Sequence, residues 1–497
     1  MRLTSPEVRS RRSYVVALAT GGLLSFAFPE TDLWFLAWIA LAPLLAVLQG
    51  AGWARGARLG FLFGVGYFGL LLHWVSIIGY LGYFVLILLQ AGFSAVFGAL
   101  WGRCSSRGRG VAYRLLAPAA LWVAIVEFLR ANFPLRGFPW GQLAQSQGGV
   151  GWVIPSAGIG GSWLTAFILV IANGAVVMVV DRDTRRDGLR VGSILVAGLL
   201  AIALWPGPKT SEESLKVAIV QGNIPRDMEP SYLKDRIIIA NHVRATEALS
   251  DDVDLVVWPE SSVGIDPALD PEVGEIVADA ARAVGAPMVV GGNMENGDGR
   301  YRVMAYLYSA DGEIVDRYQK THLVPFGEYV PARDLLDFIP ALEQVPRDAV
   351  PGDRITLFDV DGVQIATAIS FEGDFGSLVR DRIAAGGRIL IVDTNTSTWG
   401  ESWASAQHLA MSQVRAAENG VPVVHAALTG VSGFIEPNGE VVQRSDLWET
   451  RTLVRDVAPA ASVTLYARWG DYFAWLCVAG SVVVCATRPR RPVTVLA

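Results

Sequence analysis

The chain has 497 residues, 52% hydrophobic and 18% charged, with a mean hydropathy of +0.38. That is too apolar for an ordinary soluble enzyme of this length, and a net charge of −6 argues against nucleic acid as a partner. The three cysteines, Cys104, Cys477 and Cys485, all lie in or beside apolar stretches, which excludes a disulfide framework or a cysteine metal site in the polar part.

Residues 1–207 and 470–487 hold long uncharged stretches, whereas 208–468 has the charge content of a soluble domain. Candidate membrane spans are Tyr14–Phe28, Leu33–Leu48, Leu59–Ile78, Leu81–Gly102, Leu115–Phe133, Trp163–Val180, Val191–Trp205 and Tyr472–Thr487. The run Leu59–Gly102 contains no Asp, Glu, Lys or Arg and, at about 20 residues per crossing, is long enough to cross twice. The first span, behind "RSRR", reads as an uncleaved helix rather than a secretory signal, because further spans follow it.

Basic residues set the expected orientation. Alternate connections carry "RSRR" (9–12), "GWARGAR" (52–58), "GRCSSRGRGVAYR" (102–114), "DRDTRRDGLR" (181–190) and "RPRR" (488–491). The connections near 30 and 80 carry no basic residue; the one after the fifth span has Arg130 and Arg136. The positive-inside rule places the basic set in the cytoplasm. Eight spans then put both termini inside and residues 208–468 on the extracytoplasmic face of the membrane. In the fifth span, Glu127 and Arg130 are three residues apart and share a helical face, which predicts a structural ion pair near the interface. Pro134, Pro139 and Trp140 predict an irregular segment at headgroup depth.

From Leu215 the periodicity changes. The runs "LKVAIVQGN", "VDLVVWPE", "APMVVGGN", "VQIATAIS", "GRILIVDTN" and "VPVVHAAL" alternate with amphipathic segments such as 271–284 and 403–419. This pattern predicts a layered α/β domain with largely buried strands. "GGNMENGDGR" (291–300) reads as a turn between strands, not as a phosphate cradle. Glu260, Lys320 and Ser370 stand at strand ends or in loops. Taken singly, such a Glu is usually a cap or a solvated charge, such a Lys a surface residue, and such a Ser a partner in a local turn. Together they supply a base, a cation and a nucleophile for acyl chemistry at one carbonyl, if the fold brings them to one cleft.

"VVWPES", "YQKTHLVPFGEYVP" and "AISFEGDFGSLVRD" resemble the three active-site motifs of the carbon–nitrogen hydrolase (nitrilase-like) superfamily. With the eight-span layout, "QGNIP" (221–225), "QHLAMSQVRAAENGVPVV" (407–424) and "LYARWGD" (465–471), the chain resembles the bacterial apolipoprotein N-acyltransferases over nearly its whole length. The resemblance implies a nitrilase-like αββα sandwich (208–468) inserted between seven membrane helices (1–207) and an eighth with a cytoplasmic tail (469–497). It implies a ping-pong transfer of an acyl chain from a membrane phospholipid to the N-terminal amine of a diacylglyceryl-cysteine lipoprotein, through a thioester and with neither cofactor nor metal.

By position, Glu260 would be the general base and Lys320 the cation stabilising the oxyanion. Glu328 matches a second glutamate near the site, and Glu372 the one just past the nucleophile. Phe326, Phe371 and Trp399 are expected to line the substrate. Phe371 stands where the family often has Tyr, and "NTSTWG" departs from the usual Asn-Asp-Ala-Trp-Phe-Gly. The larger departure is Ser370, where the family has cysteine. A thiol has an ordinary pKa of about 8.5, and a serine hydroxyl lies well above the ~10 of tyrosine. A site built around a carboxylate base is therefore expected to be weakened or silenced by Ser370, whether the serine is an introduced exchange or a natural change. His322 and His408 are expected to have structural hydrogen-bonding roles. Two other readings stand beside the acyltransferase. One is a membrane-tethered amidase, which eight spans disfavour; the other is a silent scaffold binding lipid-linked partners, which Ser370 favours and the intact Glu260 and Lys320 oppose.

Overall fold

The computed structural model describes residues 6–105, 110–226, 228, 230–250, 252–336 and 338–486. Thr487, the basic run 488–491 and residues 106–109 of the "GRCSSRGRGVAYR" segment lie outside the described residues. The chain divides into two compact units, Met1–Trp205 with Asp471–Ala497, and Pro206–Gly470.

The first unit is helical. Three of its helices, Tyr80–Cys104, Val111–Asn132 and Ser156–Val180, are long and apolar enough to cross a membrane by length and composition. Shorter apolar helices occupy Trp34–Leu48 and Tyr472–Ala486, and further helices run Pro6–Ser25, Trp53–Leu71 and Arg185–Ala203. Small residues set the packing of Trp53–Leu71 against Tyr80–Cys104. A Cβ on Gly56 would stand 2.2 Å from the Gly98 carbonyl oxygen, and one on Gly60 2.1 Å from that of Ser94. These backbones touch directly, as small-residue helix seams allow.

The expected Glu127–Arg130 ion pair does not form. Helix Val111–Asn132 is π-wound over Val123–Leu129, and both residues are buried with separate partners. Arg130 donates to the carbonyls of Val126 (2.6 Å), Phe138 (2.9 Å), Trp140 (2.6 Å) and Gly141 (3.2 Å). Glu127 accepts from Trp122 Nε1 at 2.8 Å and from the Leu143 N–H at 3.2 Å. The guanidinium thus organises the carbonyls of the irregular Pro-rich segment. With five donors in a planar fork, arginine suits that task better than a single carboxylate contact would.

The second unit contains two mixed six-stranded sheets. The first holds β1 (Leu215–Gln221), β2 (Leu255–Val263), β3 (Met288–Glu295), β4 (Tyr301–Tyr308) and β5 (Ile314–Gln319). The second holds β6 (Leu357–Val360), β7 (Val363–Ile369), β8 (Ile389–Thr394), β9 (Val423–Ala427), β10 (Gly433–Ile435) and β11 (Val441–Arg444). The last strand, β12 (Arg451–Val457), returns to the first sheet. The orders are β12-β1-β2-β3-β4-β5 and β11-β10-β9-β8-β7-β6. In each sheet three central strands, β1-β2-β3 and β7-β8-β9, run parallel, and the flanking pairings are antiparallel.

Alternation along the strands makes the layers. Val217, Ile219, Val257 and Val289 of the first sheet meet Ile365, Ile391 and Val424 of the second in one buried core. The opposite faces are covered by helices. Trp258, Val220 and Val290 pack with Ile239, Val273 and Val277; Ala366, Leu390 and Val392 pack with Val379, Ile383 and Leu409. The result is the nitrilase-like αββα sandwich. Helix Pro271–Val284 shows why these segments are helical: Asp270 caps it by accepting from the Val273 N–H, Pro271 opens the first turn, and Gly285 closes it with φ 68°.

Candidate active site

Val257 faces the inter-sheet core and Trp258 the helices, so an unbroken pleat would send Glu260 to the helix side with Trp258. Instead the β2–β3 register shifts between Trp258 and Val263, and Ser261 is left-handed with φ 64°. Irregularities of this kind re-aim side chains at strand ends. Gly291 permits the bend, since a Cβ there would lie 2.5 Å from the Pro259 carbonyl oxygen. The Glu260 carboxylate reaches the second sheet, where the Asn395 N–H donates to Oε2 at 2.8 Å.

Lys320 follows β5 and is 1% exposed. Its ammonium donates to Glu260 Oε1 at 3.2 Å and to Glu328 Oε1 at 2.6 Å. Glu328 Oε2 accepts the Val324 N–H at 2.7 Å, so the loop 320–328 folds around its own lysine. Burial disfavours the ammonium, but the charges of Glu260 and Glu328 outweigh it and hold the Lys320 pKa above its usual value. Glu328 is shifted upward by burial, with the nearby Glu260 charge adding to it against the pull of Lys320. A buried cation held between two carboxylates results.

β7 ends at Ile369, and the chain turns at Ser370 into the 3₁₀ segment Ser370–Asp374. Ser370 has φ 50°, a sparsely populated conformation for a non-glycine residue and one that recurs at functional sites. Its hydroxyl accepts from Thr394 Oγ1 at 3.1 Å. Among the described residues no hydrogen bond joins it to Glu260. The two are linked through one strand end, because Thr394 contacts Ser370 and the next residue, Asn395, contacts Glu260.

Glu372 is fully buried and ties the two halves of the site together. Oε2 accepts the Ile369 N–H at 2.9 Å, just before Ser370. Oε1 accepts the N–H groups of Thr321 (2.8 Å) and His322 (3.1 Å), just after Lys320, with Arg382 Nη2 at 3.0 Å. Tyr318 donates to both oxygens. Burial alone would raise the Glu372 pKa; Arg382 and the hydrogen bonds from Thr321, Ile369 and Tyr318 overcome it, and the net shift is downward.

The expected aromatic residues lie around these elements. Phe371 is buried edge-on against Phe375, with ring centroids 4.9 Å apart. Phe326 is left-handed (φ 62°) and 46% exposed. Trp399 is half-buried, its ring edge-on to His408 at 5.9 Å. His408 Nε2 lies 3.2 Å from Asp374 Oδ1, and His322 packs between Phe371 and Phe375.

Two segments match known families: residues 20–175 the apolipoprotein N-acyltransferase N-terminal domain, and residues 216–466 carbon-nitrogen hydrolase. The apolipoprotein N-acyltransferase of Geobacter metallireducens is 32% identical, covering 99% of this chain and 98% of that protein. The chain belongs to the apolipoprotein N-acyltransferase family. The enzyme of that name from Methylococcus capsulatus is also 32% identical, over 97% of both chains, and that of Pseudomonas aeruginosa 31%, over 92% of both. An amidase structure from Nesterenkonia sp. is 19% identical, covering 50% of this chain and 92% of that one at a TM-score of 0.38.

Motif reading did not single out Thr394, Asn395, Tyr318 or Arg382. Asn395 had a signal, since it opens "NTSTWG". Arg382 had none: its value comes from burial beside a glutamate ten residues away, which spacing cannot show.

Proposed function

We propose that this chain is a phospholipid-dependent apolipoprotein N-acyltransferase built to work through an acyl-enzyme at residue 370, and weakened by the serine that stands there in place of cysteine. Ser370 Oγ attacks the acyl carbonyl while Glu260 takes its proton, and Lys320 stabilises the tetrahedral oxyanion. Collapse releases the lysophospholipid, which leaves with the proton returned from Glu260, and the acyl group stays as a Ser370 ester. The N-terminal amine of a diacylglyceryl-cysteine lipoprotein then attacks that ester. Glu260 removes the amine proton and passes it to the departing Ser370 oxygen, leaving the amide. Glu328 steadies Lys320, Glu372 positions the backbone beside both Ser370 and Lys320, and Phe326, Phe371 and Trp399 contact the acyl chains. No metal or cofactor takes part.

The observation that carries this reading is the buried Glu260–Lys320–Glu328 cluster, joined to Ser370 through Thr394 and Asn395. We further propose an eight-span bundle of 1–207 and 469–497, with both termini cytoplasmic and 208–468 outside the plasma membrane. The helices at all eight expected positions and the alternation of basic connections support it.

Mass spectrometry of the full-length protein after incubation with phospholipid tests the reaction. Ser370→Cys is expected to carry a fatty-acyl mass on residue 370, and Ser370→Cys/Glu260→Gln is not. Equal labelling of both would overturn the assignment of the base. One observation favours a second reading, a silent lipid-binding scaffold: the Ser370 hydroxyl pairs with Thr394 and not with Glu260. Lipid binding without an adduct in either the Ser or the Cys form would decide for it.

A further inference from the structure

Gly174 adds no side chain to helix Ser156–Val180, and a Cβ there would press on Leu115 Cδ2 at 3.0 Å. Beside it the first unit holds a cleft of about 250 Å³ counted with its open mouth. Leu45, Pro118 and Met178 belong to its apolar lining, and Gln49, Trp101 and Arg114 are its polar groups. The tight end has room for about one water-sized group.

Two of the three polar groups are donors without acceptors. Trp101 is 2% exposed, its ring packs beside Tyr113 at 6.2 Å, and its indole N–H makes no hydrogen bond among the described residues. The Arg114 side chain is 9% exposed, and its Nη2 makes no hydrogen bond there either. Its ion-pair partner Asp181 stands 3.9 Å away and is itself 40% exposed. Buried donors left unmatched are costly, a charged one most of all. Guanidinium and indole carry no acceptor of their own, so the group that completes them accepts hydrogen bonds, and the guanidinium charge favours an anion.

The location narrows the class of anion. Gln49 follows helix Ala42–Leu48, Trp101 is in the last turn of Tyr80–Cys104, Arg114 in the first turn of Val111–Trp122, and Met178 in the last turn of Ser156–Val180. These helix ends adjoin the basic connections 52–58, 102–114 and 181–190. Basic pockets between apolar helices at such ends suit lipid head groups.

We propose that this cleft binds a membrane phospholipid by its phosphodiester. One oxyanion oxygen enters the tight end and accepts from Arg114 and Trp101, while the glycerol and an acyl chain lie along Leu45, Pro118 and Met178. A free phosphate offers the same oxygens but nothing for the apolar lining, and a water offers an acceptor without the charge. The site contains no residue of the proposed acyl transfer and does not rest on it.

Native mass spectrometry of the full-length protein in detergent, titrated with dioleoylphosphatidylglycerol, tests the site. Wild type is expected to hold one lipid that Arg114→Gln binds about tenfold more weakly or loses, because a charge-assisted bond is gone. Trp101→Phe keeps a ring and removes the N–H, and should weaken the same lipid about threefold. Unchanged binding in Arg114→Gln, or in Trp101→Phe where the glutamine form does not fold, would overturn the proposal and leave the cleft to water. Inorganic phosphate in place of lipid is the second arm. A rise in Tm with phosphate in wild type but not in Arg114→Gln, with no difference in lipid binding, would overturn the lipid and assign a free anion. Any donor lipid held for the reaction is common to all these forms, so failure of the acyl-transfer reading leaves the comparison unchanged.

Discussion

Glu372→Gln should unfold the second unit far more readily than its conservative chemistry suggests. The carboxylate faces Arg382, which is itself 1% exposed, and breaking a buried pair from one side costs about 3–5 kcal/mol. A glutamine cannot rotate out of the difficulty. One oxygen position receives the Thr321 and His322 N–H groups and the other the Ile369 N–H, so either orientation sets an amide donor against a backbone donor. At about 2–4 °C per kcal/mol for a domain of this size, Tm should fall by about 6–20 °C, read by scanning fluorimetry on the full-length protein in detergent. The pH dependence has a definite sign. The folded pKa of Glu372 is depressed below an unfolded value of about 4.3. Its stabilisation is therefore present above that value and lost as pH falls through the folded pKa, and Glu372→Gln should flatten this acid limb. Arg382→Met in the Glu372→Gln background should recover part of the loss, because the pair is then removed as a whole. A Tm within about 2 °C of wild type for Glu372→Gln, or strictly additive single effects, would refute the reasoning.

Ser370→Cys should raise acyl transfer by several orders of magnitude, since each pKa unit of mismatch removed is worth about 1.4 kcal/mol; equal rates in the two forms would rule out a carboxylate base. In that background, Lys320→Met should abolish the adduct and also relax Glu328, which then lacks its 2.6 Å partner; retained labelling would remove Lys320 from the mechanism. Gly98→Val should destabilise the first unit, because a Cβ there meets the Gly56 carbonyl oxygen at 2.3 Å, and unchanged detergent stability would show that the helix seam is not tight. Single cysteines at exposed positions such as Leu269 and Ile314 should react with an impermeant maleimide on intact spheroplasts, and protection until lysis would invert the proposed topology.

The six β runs read from the sequence are the six strands of the two parallel cores, β1-β2-β3 and β7-β8-β9. The six unread strands are the flanking ones. The cause is burial. Central parallel strands are covered on both faces and appear as continuous apolar runs, as "ILIVDT" does. β5, "IVDRYQ", leaves Ile314 and Val315 exposed, and β12, "RTLVRDV", mixes charges through its length. β6 has four residues and β10 three, too few to show a period. Glu260, Lys320 and Ser370 were legible through their motifs, but their links were not. Sixty residues separate Glu260 from Lys320, and the bend that turns Glu260 across the sandwich lies in a register shift that no local pattern displays.

The ties that assemble the site address the backbone, and this bears on what residue 370 can be. Glu372 grips the Ile369, Thr321 and His322 amides, and Asn395 meets Glu260 through its own N–H. None of these bonds uses the side chain at 370, whose partner is the Thr394 hydroxyl at 3.1 Å. Exchanging oxygen for sulfur there alters one side-chain hydrogen bond and leaves the left-handed turn, the lysine clamp and the Asn395–Glu260 bond in place. A difference in rate between the Ser and Cys forms would therefore report acidity and nucleophilicity, not a dismantled scaffold. For the same reason a serine at this position is tolerated by a fold whose remaining machinery is intact. On the proposed mechanism the burden of activating it falls on Glu260, which Lys320 and the Asn395 N–H hold in place.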